Sequence, residues 1–216
     1  DESAGVHAYD RSLTTPNGDD NQGSGRGDFN GLDGDILSVV CDNVTLYSES
    51  FDAFEDGYGI GQDGVLNGYG AENQEWTLTT SSNSLNYASV VADGQGNHVF
   101  STQTKTALVT WESPTISING YDNLTFSVDL SEDGPHESED YIQVYARYND
   151  SNSPTLLGEQ TGNFNSFGLT YNLDLDGNES VQFLIKMYNT GKDEILTFDN
   201  LILSTCPDSE TEEGQL

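Results

Sequence analysis

Glu49, Asp52 and Asp199 are the side chains of this sequence best placed to do chemistry together. Glu49-Ser50-Phe51-Asp52 ends the first strand-like segment, and Thr197-Phe198-Asp199-Asn200-Leu201 begins the last. Suppose those two segments pair antiparallel with Cys41 opposite Cys206. Val44 then faces Leu203, Tyr47 faces Asn200 and Ser48 faces Asp199, with no gap in either strand. That register carries the three carboxylates to one neighbourhood. Crowded carboxylates repel unless a cation sits among them, and Ca2+ takes about six to eight oxygens of this kind. Backbone carbonyls of the Gly-rich stretch 57–64 could complete its shell. The alternative is three solvated carboxylates at strand ends.

Sugar recognition needs exposed aromatic faces with amides or carboxylates beside them. Tyr58, Tyr69, Trp76 and Trp111 are the candidates. Tyr58 and Tyr69 fall in a Gly- and Asn-rich loop, a good place for a ligand. Trp76 and Trp111 lie within strand patterns, where core packing competes with binding. Catalytic patterns do not emerge. His7, His98 and His136 have no recognisable metal or triad context, and no Gly-x-Ser-x-Gly or His-Glu-x-x-His occurs. Glu137, Glu139 and Asp140 lie close in sequence but lack the Glu-x-Asp-x-x-Glu spacing of many jelly-roll glycosidases. Asn172-x-Asp174-x-Asp176-Gly177 is half of an EF-type loop, with Phe183 where the closing Glu belongs. Asn43, Asn123, Asn149 and Asn178 each begin an N-glycosylation sequon.

The elements that must hold these groups are strands. Leu124, Phe126, Val128 and Leu130 alternate with polar residues. Tyr141, Gln143, Tyr145 and Arg147 alternate with Ile142, Val144 and Ala146, and Val181, Phe183, Ile185 and Met187 do the same. The pattern predicts strands near 44–51, 75–80, 85–91, 97–102, 105–111, 123–130, 140–148, 167–174, 180–188 and 196–204, joined by Gly, Asn and Asp turns. No window repeats apolar residues at helical spacing over three turns. Many short strands with the first beside the last predict an all-β, two-sheet antiparallel jelly-roll sandwich over 41–206. A Cys41–Cys206 disulfide would staple its ends and point to an oxidising, extracellular setting, two buried thiols being the alternative.

Outside that domain the texture changes. Residues 1–40 form a Gly/Asp-rich extended arm, and 207–216 an acidic tail. The arm carries two apolar islands, with Val6 and Ala8 in one and Ile36, Leu37 and Val39 in the other. Such islands could add strands to a neighbour's sheet and propagate a filament. Thirty-seven acidic residues against six basic ones give a net charge of -31, which repels nucleic acid and anionic lipid. No apolar run is long enough to insert into a membrane. The sequence opens on Asp1 with no apolar leader, so a secretory signal is expected to have been removed already.

Four short pieces, in order, resemble MAM-type and carbohydrate-binding-module jelly rolls of secreted and cell-surface proteins. They are Glu49-Ser50-Phe51-Asp52; Pro114-x-Ile116-x-Ile118-x-Gly120-Tyr121-x-Asn123-Leu124-x-Phe126; Asp140-Tyr141-Ile142-x-Val144-Tyr145; and Phe198-Asp199-Asn200-Leu201-x-Leu203. The resemblance covers about residues 44–204. It implies a two-sheet jelly roll with a structural Ca2+ at the early acidic residues and the Asp of the last motif, here Glu49, Asp52 and Asp199. Three functions compete. The expectation placed first is a non-catalytic extracellular structural subunit that self-assembles into a fibre or surface layer through its arm. The alternative is a calcium-dependent carbohydrate-binding or adhesive module, which an exposed aromatic row on one sheet would favour. The third is a jelly-roll polysaccharide lyase or hydrolase.

Overall fold

The computed structural model describes residues 44–61, 66–67, 76–82 and 85–205. Those residues contain no helix. They form β1 (Val44–Glu49), β2 (Gly59–Gly61), β3 (Leu66–Asn67), β4 (Thr77–Thr80), β5 (Leu85–Ala92), β6 (His98–Thr104) and β7 (Leu108–Glu112). The second half supplies β8 (Ile116–Ser117), β9 (Leu124–Asp133), β10 (Tyr141–Tyr148), β11 (Thr155–Thr161), β12 (Ser166–Asn172), β13 (Ser180–Tyr188) and β14 (Ile195–Thr205).

Alternation places these strands in two antiparallel sheets. One runs β12-β9-β14-β6-β5-β2-β3, with β1 also paired to β14; the other runs β11-β10-β13-β7-β4, with β8 paired to β13. Each strand turns every second residue inward, because successive side chains leave a strand on opposite faces. Phe126, Val128 and Leu130 of β9 are buried, as are Ile142, Val144 and Ala146 of β10. Their inner faces meet in an aromatic core. Phe100 and Phe198 from the first sheet pack with Trp111 from the second, at ring separations of 5.1 Å (Phe100–Phe198) and 5.4 Å (Trp111–Phe198). Phe126 stacks on Phe183 across the sandwich at 4.0 Å. This is the jelly-roll sandwich that the alternation predicts.

The predicted strands recur with shifted ends. β2, β3, β8 and β11 were not anticipated. Three are only two or three residues long, and β11 is split by a bulge against β10 that breaks its alternation.

β1 does pair with β14, but in a different register. Val44 faces Thr205 and Ser48 faces Ile202, with a shift between Thr45 and Tyr47. The gap-free register that set Ser48 against Asp199 is therefore corrected. Pairing already starts two residues along, with Val44 against Thr205 rather than Leu203, and the extra residue of the bulge moves every later pair along by one more.

Candidate functional site

Two sites emerge from this frame. The first is the acidic neighbourhood around Asp199. On β14 a second irregularity falls between Asp199 and Ile202 opposite β9. Asn200, inside it, takes the left-handed φ of 53°, which Asn tolerates better than most residues. Its amide Nδ2 donates to Asp129 Oδ2 at 3.0 Å. Asp199 is left directly opposite Asp129, a like-charge cross-strand pair that destabilises the sheet when both are ionised. The two line a cleft of about 330 Å3 together with Val99, Ser131 and the half-exposed Phe167.

Asp52 joins them from the loop after β1. Phe51 sits at φ 59° and drives its ring into the core, fully buried, while Asp52 stays exposed and accepts from the His98 N–H at 3.0 Å. Asp93, in the β5–β6 turn, accepts from the backbone of Gln95 (2.7 Å) and Asn97 (3.2 Å). Burial, reinforced by Asp52, Asp129 and Asp93, pushes the Asp199 carboxyl up to about 6. Its Oδ1 is buried and has no hydrogen-bond partner. Of the sequence-predicted trio, then, Asp52 and Asp199 feel one another. Glu49 also has its carboxyl raised, first by burial and last by Asp52, but its Oε1 turns back to accept from the Phe51 N–H at 2.8 Å. One oxygen of Glu49 is thus committed to the local turn, and Asp93 and Asp129 are acidic neighbours of Asp199 that sequence reasoning missed. Asp199 thus keeps a buried, unbonded carboxylate oxygen, with further carboxylates near enough to raise its carboxyl.

The second site is the outer face of the six-stranded sheet. Tyr141, Gln143, Tyr145 and Arg147 are the outward residues of β10, each partly exposed and alternating with the buried Ile142, Val144 and Ala146. Cross-strand pairing sets Tyr141 against Tyr188, Gln143 against Lys186 and Arg147 against Gln182. The Tyr141 and Tyr188 rings stack at 5.6 Å. Lys186 Nζ lies 4.7 Å from the centre of the Tyr145 ring. The Tyr145 hydroxyl donates to Gln143 Oε1 at 2.8 Å, and Gln143 Nε2 donates to Glu159 Oε1 at 2.5 Å. Arg147 Nη1 holds Glu112 at 3.0 Å and Gln182 at 2.7 Å. Burial raises the Tyr141 and Tyr145 phenols above their ordinary range, so both keep their protons at neutral pH. The result is a band of tyrosine faces separated by fixed amide, carboxylate and cationic groups.

The aromatic residues singled out from the sequence do not contribute to it. Tyr58, Trp76 and Trp111 are 7%, 3% and 0% exposed and pack in the core, so as glycan contacts they are corrected. Trp76 packs 5.5 Å from Tyr58 and 6.1 Å from Trp111. Strand position and aromatic bulk put these rings inward; the loop composition around Tyr58 suggested exposure, but Tyr58 closes the end of the core. Tyr69 lies outside the described residues, as do Cys41, Cys206, Asn43, the arm residues Val6, Ala8, Ile36, Leu37 and Val39, and the acidic tail. Asn123 is exposed. Asn149 Nδ2 donates to Gly177 O and Asn178 Oδ1, and Asn178 Nδ2 to Asp174 O, so a glycan on either amide would displace these bonds. Among the described residues no helix is long and apolar enough to cross a membrane.

No protein-family model matches the sequence, and no curated protein does. Among solved structures, the chain is similar to the K3 cleaved adhesin domain of Lys-gingipain from Porphyromonas gingivalis. There the TM-score is 0.49 at 14% identity, over 75% of this chain and 100% of that one. It is also similar to the CBM22-1 xylan-binding domain of Paenibacillus barcinonensis Xyn10C (TM-score 0.43, 13% identity, 74% and 94% covered). A Stig cyclase from Fischerella sp. TAU is similar to the same degree (TM-score 0.44, 12% identity, 75% and 97% covered). The jelly-roll sandwich rests on the strand pairing itself.

Proposed function

We propose that this protein is an extracellular, calcium-dependent carbohydrate-binding or adhesive module. In this reading it binds glycans on the outer face of its six-stranded sheet. The observation that carries the reading is the tyrosine band of Tyr141, Tyr145 and Tyr188. An aromatic face can lie flat on the apolar face of a sugar ring, while the neighbouring Gln143, Glu159 and Lys186 satisfy its hydroxyls. Tyr145 lies four residues from Tyr141 along β10, about 13 Å at strand rise, which suits an extended chain of several rings better than a single sugar. All of these groups sit on paired strands, so the surface is preorganised and little is lost in ordering it. The fibre-subunit expectation rests on residues 1–40, and the described residues add nothing to it.

In the same reading, Asp199, Asp52, Asp93 and Asp129 hold a structural Ca2+. The cation would neutralise the like-charge pair across β9 and β14 and satisfy the orphaned Asp199 oxygen. Acidic polysaccharides are poor ligands for so negative a chain, so neutral glycans such as xylans, β-glucans and galactans are the expected class.

The test is affinity electrophoresis of the full chain through gels containing each neutral polysaccharide, compared with Tyr145→Ala and Tyr188→Ala. Retardation of the wild type that is lost in both variants, with unchanged β-sheet circular dichroism, supports the reading. Retardation that survives both substitutions places the site elsewhere, and mobility unaffected by any glycan overturns the function.

A further inference from the structure

His136, Asp140 and Glu194 come from two loops far apart in sequence, β9–β10 and β13–β14, and one potential ligand atom from each lies within 4.8 Å of the others. All three are buried, Asp140 completely. The His136 side chain has no exposed surface. Its Nε2 lies 3.2 Å from two backbone carbonyls, Asp133 O and Ile195 O, and 3.5 Å from Glu132 Oε2. Three acceptors on one side require that nitrogen to carry the proton. In the neutral ring, Nδ1 is then a bare lone pair. It is buried, has no hydrogen-bond partner and points at Asp140 Oδ2, 3.6 Å away. Two acceptors facing one another without a hydrogen between them are a costly arrangement, and a proton or a metal cation between them removes the cost.

The carboxylates are already oriented. Asp140 Oδ1 accepts from Thr190 N (2.8 Å) and Thr190 Oγ1 (3.0 Å), and Oδ2 from Glu137 N (2.8 Å). Glu194 Oε2 accepts from Thr190 N at 3.0 Å and from Gly191 N. The Glu137 carboxylate borders the cluster and takes the Thr190 hydroxyl at 3.2 Å. Gly134, at φ 103°, allows the loops to approach, since a Cβ there would run into the Asp193 carbonyl. The nearby ammonium, Lys192, is spent on exposed Asp193 at 2.8 Å. Glu132, Glu137, Asp140 and Glu194 therefore surround one imidazole.

We infer that His136, Asp140 and Glu194 form a zinc-class divalent-cation site that clips the β9–β10 loop to the β13–β14 loop. Imidazole selects a borderline metal over the oxygen-seeking Ca2+, and a protonated Nε2 held by backbone carbonyls is the support a metal-bound histidine normally has. Tetrahedral Zn2+ with ligand bonds of about 2.1 Å places ligand atoms roughly 3.4 Å apart, close to the Nδ1–Oδ2 separation. None of the three ligands belongs to the Asp199 neighbourhood or to the tyrosine face, although Asp140 directly precedes Tyr141.

Zinc alone, added to chelator-treated full-length protein labelled with 15N-histidine, provides the test. The expected result is uptake of one Zn2+ per chain with a large shift of the Nδ1 resonance of His136, undisturbed by millimolar Ca2+. His7→Gln and His98→Gln assign the other two rings and should leave the response intact. Thr190→Ala, which removes one hydroxyl bond to Asp140, should weaken uptake about tenfold. His136→Gln should abolish it. The inference is overturned if the His136 resonance is unmoved at saturating zinc, or if folded His136→Gln takes up zinc as well as wild type. Should that variant not fold, the wild-type resonance decides alone.

Discussion

Replacing Asp199 with Asn should stabilise this protein in chelator and destabilise it in calcium, a reversal that few other mechanisms would produce. In the calcium-free fold, the Asp199 carboxyl is pushed from 3.8 to about 6, chiefly by burial and then by Asp52, Asp129 and Asp93. Each pH unit is worth about 1.4 kcal/mol, so holding the ionised form at pH 7 costs about 3 kcal/mol. Solvent reaches part of the side chain, and screening reduces this to about 1.5 kcal/mol. The sign follows from the direction. A carboxyl whose folded value is raised imposes no penalty below 3.8, a growing one as pH rises to about 6, and its full penalty above that. Asn carries no charge and removes it, so Asp199→Asn in EDTA at pH 7 should melt about 3–6 °C higher than wild type. Below pH 4 the two should coincide. Calcium at about a hundred times its dissociation constant adds about 2.7 kcal/mol to a chain that binds it only when folded. Wild type then exceeds Asp199→Asn by about 1 kcal/mol, because the variant loses a ligand. Differential scanning calorimetry from about pH 3 to pH 8, with EDTA and with calcium, measures all of this. Equal or lower stability of Asp199→Asn in EDTA at pH 7 would refute the electrostatic reasoning. The same ranking with and without calcium would refute the cation.

Other outcomes follow from the same structure. Trp111→Ala removes a fully buried ring that touches Phe51 and Phe198 and should cost about 3–5 kcal/mol in chemical denaturation; a loss under 1 kcal/mol would contradict its place in the core. Arg147→Ala breaks a partly exposed pair with Glu112 and should change stability by no more than about 1 kcal/mol, while a larger loss would show the pair to be more than a surface bridge. The β1–β14 pairing ends with Val44 opposite Thr205, just short of the two cysteines; a non-reducing peptide map should find Cys41 linked to Cys206, and two freely alkylated thiols would exclude that bridge. Deleting residues 1–40 should leave glycan retardation and melting unchanged, and loss of self-association in light scattering of the truncated chain would instead revive the assembly role of the arm.

How much of this was legible beforehand can be read from particular residues. Period-2 alternation in Phe126–Leu130, Ile142–Ala146 and Val181–Met187 determined strands, their inward faces and hence a sandwich, because burial on one face of a pleated strand admits no other pattern. Composition gave the net charge of -31, which opposes binding to nucleic acid, and the Phe-Asp-Asn-Leu run drew attention to Asp199. The tertiary structure decided the rest. A bulge is one unpaired residue, invisible to a two-residue period, and it shifts the pairs on its two sides relative to one another by one. The Tyr141–Tyr188 stack depends on the β10–β13 register, which alternation alone leaves free to slip by two. Tyr58 was hidden by a core that its loop composition did not foretell. His136 had no metal signature in its own segment, because Glu194 arrives from a loop that only the closing of the two sheets brings near. Local pattern records what each strand buries; which residues share a site depends on long-range pairing, and that is fixed by the packing of the whole sandwich.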